Sequence, residues 1–231
     1  MVLPAGEGRY ANAQIDDYHM TTGRGAAFRW KRETSFRAHA RFSGGSETLV
    51  GTAGFGFWNA PLGPGVGGLF RMPQAVWFFY ASDGSDLPLA PTGRKGNGWF
   101  VSTIDAAGPR AMAWAPLMVP VFILNRLTTL RQLLWPIIRR DLAISFERLQ
   151  VDMATWHKYE IVWQGDHSLF RVDGMPVLST PMSPRGPLGF VSWMDNRRMT
   201  ATPTGRLRWG TQRSRLQQWM EVYEIQLDRL V

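Results

Sequence analysis

Along most of the chain, short segments of alternating or continuous apolar character end at Gly, Pro, Asn or Asp, the pattern of strands joined by tight turns. Residues 34–42 are the clearest: Phe36, Ala38, Ala40 and Phe42 share one face, Arg37, His39 and Arg41 the other. Residues 50–58, 75–82 and 99–104 add three strands, closed by turns such as Asn59-Ala60-Pro61 and Ser82-Asp83-Gly84. In 158–163, Tyr159, Ile161 and Trp163 share a face; Gln164-Gly165-Asp166 then turns into 168–172, and Asp173-Gly174 turns again. Residues 188–193 and 219–227 complete the series. Strict alternation in the last puts Glu221 and Glu224 on opposite faces.

The period changes in the middle of the chain. Leu127, Leu130, Leu134, Ile137 and Ile138 recur at three and four residues, so one or two short helices, broken at Pro116, Pro120 and Pro136, are expected as an insertion over 116–148. Their expected role is to cover one open end of the sheet core; a mobile lid or a membrane-surface element at 117–138 is the alternative. The apolar run 117–124 is cut by Pro120 and followed by Arg126 and Arg131, short of the roughly 20 apolar residues that a spanning helix needs. No transmembrane segment is expected.

The 231 residues include 24 Gly and 15 Pro, punctuation that fits one β domain over 1–231. Apolar residues at 45% suffice for a core. The lack of Cys removes disulfide frameworks, thiol nucleophiles and Cys-ligated metals. A net charge of +8 comes almost wholly from Arg, since only Lys31, Lys95 and Lys158 are lysines, and it is scattered rather than gathered on one element. Nucleic acid is therefore not an expected partner. The opening residues carry Pro4, Gly6 and Glu7 where a secretory signal needs an apolar stretch, so a cytoplasmic location is expected.

The segment Trp156-His157-Lys158-Tyr159-Glu160-Ile161-Val162-Trp163, followed by Leu169-Phe170-Arg171-Val172-Asp173-Gly174-Met175-Pro176-Val177, resembles a hairpin of the concanavalin A-like lectin/glucanase superfamily. The late strand 189–196 (GFVSWMDN) and a terminal strand near 219–225 fit as well. The resemblance is closest over 150–230 and looser over 26–104. It implies an all-β jelly roll of two curved antiparallel sheets with a ligand groove on the concave face, and relatives that are β-glucanases, lectins and laminin-G-type modules. Retaining glucanases of that superfamily carry E-x-D-x-x-E on one strand, holding two carboxylates roughly 5 Å apart. Glutamates occur here at 7, 33, 47, 147, 160, 221 and 224, and none begins that motif. Such relatives often bind a structural calcium, but no acidic cluster identifies one here, and no cofactor is expected.

The groove is expected on the face bearing Thr52, Gly54, Gly56 and Trp58. Glycine within a strand marks close approach, either by a ligand or by another side chain or backbone. Trp58, Asn59, Trp77, Tyr80, Trp193 and Asn196 are the expected ligand-binding residues, because flat rings stack on sugars or line apolar pockets. Asp17, His19 and Asp195 are the candidates for acid–base chemistry. The four His residues lack zinc spacing, the glycine-rich run 63–68 lacks a P-loop ending, and no G-x-S-x-G elbow occurs. These features point to a diverged carbohydrate-binding or carbohydrate-active module without retaining glucanase chemistry. The alternative is a pocket protein or non-glycosidase enzyme acting on an apolar or aromatic small molecule. Exposed aromatics flanked by polar groups favour the first, and a closed apolar pocket roofed by 117–138 the second.

Overall fold

A computed structural model describes residues 1–6, 8–18, 28–60 and 72–230. In chain order the strands begin with β1 (Val2–Leu3), β2 (Asn12–Asp16), β3 (Thr34–Phe42), β4 (Thr52–Trp58), β5 (Gln74–Ala81) and β6 (Gly98–Asp105). Helices α1 (Pro109–Ala113), α2 (Met118–Leu124) and α3 (Thr128–Asp141) follow. The chain then returns to strands: β7 (Ser145–Arg148), β8 (His157–Trp163), β9 (Ser168–Val172), β10 (Met175–Thr180) and β11 (Gly189–Asp195). It ends with β12 (Arg197–Ala201), β13 (Leu207–Thr211) and β14 (Gln218–Arg229).

Two six-stranded antiparallel sheets form a β-sandwich of jelly-roll type, ordered β1-β14-β3-β8-β9-β10 and β2-β11-β4-β5-β6-β7. Alternation explains the layering. Phe36, Ala38, Ala40 and Phe42 from β3 and Tyr159, Ile161 and Trp163 from β8 meet Phe55 and Phe57 of β4 and Val76, Phe78 and Tyr80 of β5 in one core. Phe55 lies 5.0 Å from Tyr159 and 5.4 Å from Phe78 between ring centroids, the edge-on or tilted packing that aromatic quadrupoles favour.

The hairpin that carried the resemblance is a structural brace. His157 Nδ1 contacts Asp173 Oδ2 at 2.6 Å, and Lys158 N donates to Asp173 Oδ1 at 2.8 Å. Asp173 and Gly174 both have positive φ, as a tight hairpin turn requires. Trp163 Nε1 donates to Pro184 O at 2.9 Å, fixing the crossing into β11.

The helical insertion expected around 116–148 is present, with helices from 109 to 141; residues 145–148 leave the helical region and pair with β6 as an edge strand, Ser102 opposite Phe146. One expectation needs correction. Glu221 and Glu224 share a face: β14 shifts register between Tyr223 and Gln226, with Glu224 at positive φ, so alternation slips by one. Glu221 pairs with Arg41 at 2.6 Å and Glu224 with His39 at 3.2 Å, both on the solvent side of the first sheet. No helix among the described residues is long and apolar enough to cross a membrane.

Candidate functional site: an aromatic platform on the outer face of the second sheet

The side chains of the second sheet that point away from the sandwich core form a separate cluster. Phe79 (β5), Phe100 (β6), Phe146 (β7), Val191 and Trp193 (β11) are buried there beside Tyr18 and the loop residues Leu87, Leu89 and Ala90, with Trp58 and Trp77 half-buried at its margin. Register builds it: Trp77 stands opposite Gly56 and Ser102, and Trp193 opposite Gly54 and Gln14. The rings of Trp58 and Trp193 are parallel, 5° apart in orientation with centroids 6.1 Å apart, and Trp77 leans against both at 5.9 and 5.6 Å.

Polar groups fix this platform from the β2 side. Tyr18 Oη accepts a 2.7 Å hydrogen bond from Trp58 Nε1 and a 3.3 Å bond from Gln14 Nε2, which also donates to Asp16 Oδ2 at 2.8 Å. Burial raises the Tyr18 phenol well above its ordinary range, so it remains protonated. Trp77 Nε1 is buried and finds no acceptor among the described residues.

Gly54 and Gly56 answer the question that their positions posed. A Cβ on Gly54 would meet Phe78 O at 2.2 Å and the Trp193 ring at 2.9 Å; on Gly56 it would meet Val76 O at 2.5 Å. The neighbouring strand and the Trp193 indole occupy this space, so the glycines serve the platform's own packing.

The structure brings together Trp58, Trp77 and Trp193 of the expected residues. Asp195 sits at the far end of β11, 9% exposed, its Oδ1 accepting from Thr52 Oγ1 and Arg197 N, both at 2.9 Å. Thr52 Oγ1 in turn accepts from Trp193 Nε1 at 3.1 Å. Desolvation raises the Asp195 carboxyl above the usual aspartate range, against the lowering effect of those hydrogen bonds.

The other expected residues lie elsewhere. Tyr80 points into the sandwich core, its hydroxyl donating to Ser46 O and Leu49 O, because it lies an odd number of residues from Trp77. Asn59 is a buried loop brace, donating to Met72 O and accepting from Gln74 N. Asn196 spends its amide on Ala11 N, Arg9 O and Gln212 O, holding the N-terminal segment. Asp17 accepts from Trp30 Nε1 at 2.5 Å and Phe190 N at 2.9 Å, and so locks β2 to β11. His19 lies outside the described residues. Gln14, Asp16, Tyr18 and Phe79 join the candidate site beyond the expected residues, and Gln14, Asp16 and Tyr18 already share the two-residue period of one strand face.

Asp16 stands opposite Val191 and Asp195 opposite Asn12, so the two carboxylates are four residues apart along the strands, roughly 13 Å at ~3.3 Å per residue. A retaining pair needs roughly 5 Å and an inverting pair roughly 6.5–9.5 Å. No group of three metal-ligating side chains occurs among the described residues.

Solved structures align with this chain. An endo-acting O-glycanase of the human gut microbiota, of the kind that initiates mucin breakdown, aligns over 100% of this chain and 78% of its own length, with a TM-score of 0.51 at 13% identity. A glycosyl hydrolase family protein from Mycobacterium fortuitum aligns over 94% of this chain and 74% of its own, with a TM-score of 0.42 at 10% identity. The Bacillus licheniformis β-glucanase aligns over 71% of this chain, which spans 54% of the enzyme, with a TM-score of 0.37 at 10% identity. The likeness is one of fold. No family profile matches the sequence, and no curated protein matches it.

Proposed function

We propose that this protein is a carbohydrate-binding β-sandwich whose ligand stacks on Trp58 and Trp77. One observation carries the reading: two half-buried indoles on the outer face of the second sheet are held in place before any ligand arrives, Trp58 by Tyr18 Oη at 2.7 Å and Trp77 against the Trp193 ring. A rigid ring loses little entropy when a sugar face settles on it. Gln14 and Asp16, half-buried on the β2 side, add polar groups beside the rings.

The spacing of Asp16 and Asp195 supports binding without two-carboxylate hydrolysis. The apolar-pocket alternative needs residues 117–138 turned over the aromatic face; instead Leu117, Ile123, Leu127 and Leu133 stand in solvent. The glycan-active enzymes among the structural neighbours are compatible with a sugar ligand.

Retention on immobilised β-glucan, alginate and mucin O-glycan, compared between the native chain and Trp58→Ala, tests the reading. Retention on at least one glycan, lost in the variant, supports it. Equal retention of both proteins, or none at all, defeats it.

A further inference from the structure

The helical insertion buries little of its own apolar surface. Val121, Trp135 and Ile138 form a small core, while Val119, Ile123, Leu127 and Leu133 are 69, 58, 60 and 63% exposed. Soluble monomer surfaces seldom gather that many large apolar side chains in so short a segment without a partner.

Charge distinguishes among partners. From Ala106 to Arg140 the chain has no Asp or Glu, yet it carries Arg110, Arg126 and Arg131; of the two arginines that end α3, Arg139 turns inward to Leu89 O at 2.9 Å and Arg140 pairs with Asp141 at 3.2 Å. Arg126 and Arg131 line a cleft of about 590 Å³ together with Arg206 and Thr202, Thr204 and Gly205, a lining without a carboxylate. Asn125 Nδ2 donates to Pro203 O at 3.0 Å and so ties the β12–β13 turn to the end of α2, keeping Arg206 beside the helices.

We infer that this face docks on an anionic lipid bilayer, with the exposed side chains of α2 and α3 entering the headgroup–acyl boundary and Arg126, Arg131 and Arg206 taking lipid phosphate. Short helices with an apolar face and an arginine border lie in the plane of such an interface, and each nearby Arg gains from the negative surface potential. Guanidinium groups suit phosphate oxygens, which they can bind through two parallel hydrogen bonds. A second copy of the chain is the poorer occupant, because a two-fold contact on this face would oppose arginines with no acidic residue between 106 and 140 to neutralise them.

Co-sedimentation of the full chain with phosphatidylcholine vesicles, with and without phosphatidylglycerol, tests this. The expected result is at least about tenfold more bound protein on the anionic vesicles at low salt, reduced about tenfold by Leu127→Asp/Leu133→Asp and by Arg126→Glu/Arg206→Glu. All four side chains are exposed, so both double variants should keep the native circular dichroism and melting temperature. Three outcomes would each overturn the inference: no sedimentation with anionic vesicles, equal sedimentation with both kinds, or a dimer by light scattering that Leu127→Asp/Leu133→Asp converts to monomer. So would a thermal shift with inorganic phosphate that Arg126→Glu/Arg206→Glu abolishes, if vesicle binding is absent.

Discussion

Trp58 Nε1 donates a 2.7 Å hydrogen bond to Tyr18 Oη, which joins the end of β4 to the segment leaving β2 across the intervening strand β11. Tyr18 is 1% exposed, so its hydroxyl sets the orientation of an indole that is itself only half-buried. Tyr18→Phe removes the acceptor and leaves the ring volume in place. The expected cost is about 1–3 kcal/mol of stability, because Trp58 Nε1 and Gln14 Nε2 both lose an acceptor, and glycan affinity should fall several-fold as Trp58 gains freedom. Chemical denaturation and a binding titration on the same variant check both effects.

Gly54 is a second point of leverage. A methyl group there would lie 2.2 Å from Phe78 O, a backbone atom with little room to yield, and 2.9 Å from the Trp193 ring. Gly54→Ala should destabilise the fold by about 1–3 kcal/mol through overpacking. Gly45→Ala is the control, since nothing lies within 4 Å of its Cβ position. Denaturant midpoints of the two variants measure the difference.

Asp195 makes a prediction about pH. Burial raises its carboxyl in the folded state, so the folded protein takes up that proton before the unfolded chain does as pH falls. This residue's contribution to stability is therefore most favourable below the ordinary aspartate range, and it declines as pH rises through the window up to the raised folded value. Asp195→Asn keeps an acceptor for Thr52 Oγ1 and Arg197 N but removes the titration. The variant should melt higher than the native chain at neutral pH, with the gap closing as pH falls. A gap that widens on acidification would contradict the assignment.

Much of the scaffold was legible because alternation reports burial directly. Residues 34–42 and 168–172 form strands with the expected bounds, and Thr52, Gly54, Gly56 and Trp58 face away from the sandwich core. The same rule, fully applied, separates Tyr80 from Trp77. The slip in β14 was invisible because Glu224, a residue with no preference for positive φ, makes the bulge. The edge strand β7 is only four residues long, too short for its period to stand out beside the helical repeat. Within the site, tryptophans announced themselves by type. Asp17, Asn59 and Asn196 hold structural hydrogen bonds in the fold, some with partners up to 187 residues away in the chain, which a local pattern does not reveal.

Intrinsic tryptophan fluorescence during titration with soluble glycans tests the central claim most directly, because Trp58 and Trp77 are both ligand platform and reporter. The account predicts a saturable change with at least one glycan from a panel of β-glucan, alginate and mucin oligosaccharides. That change should fall at least about tenfold in affinity in Trp58→Ala and in Trp77→Ala, the scale of a binding hot spot. No release of reducing ends from laminarin or lichenan should accompany it. A response confined to apolar or aromatic small molecules, or a glycan response that survives both substitutions, would contradict it.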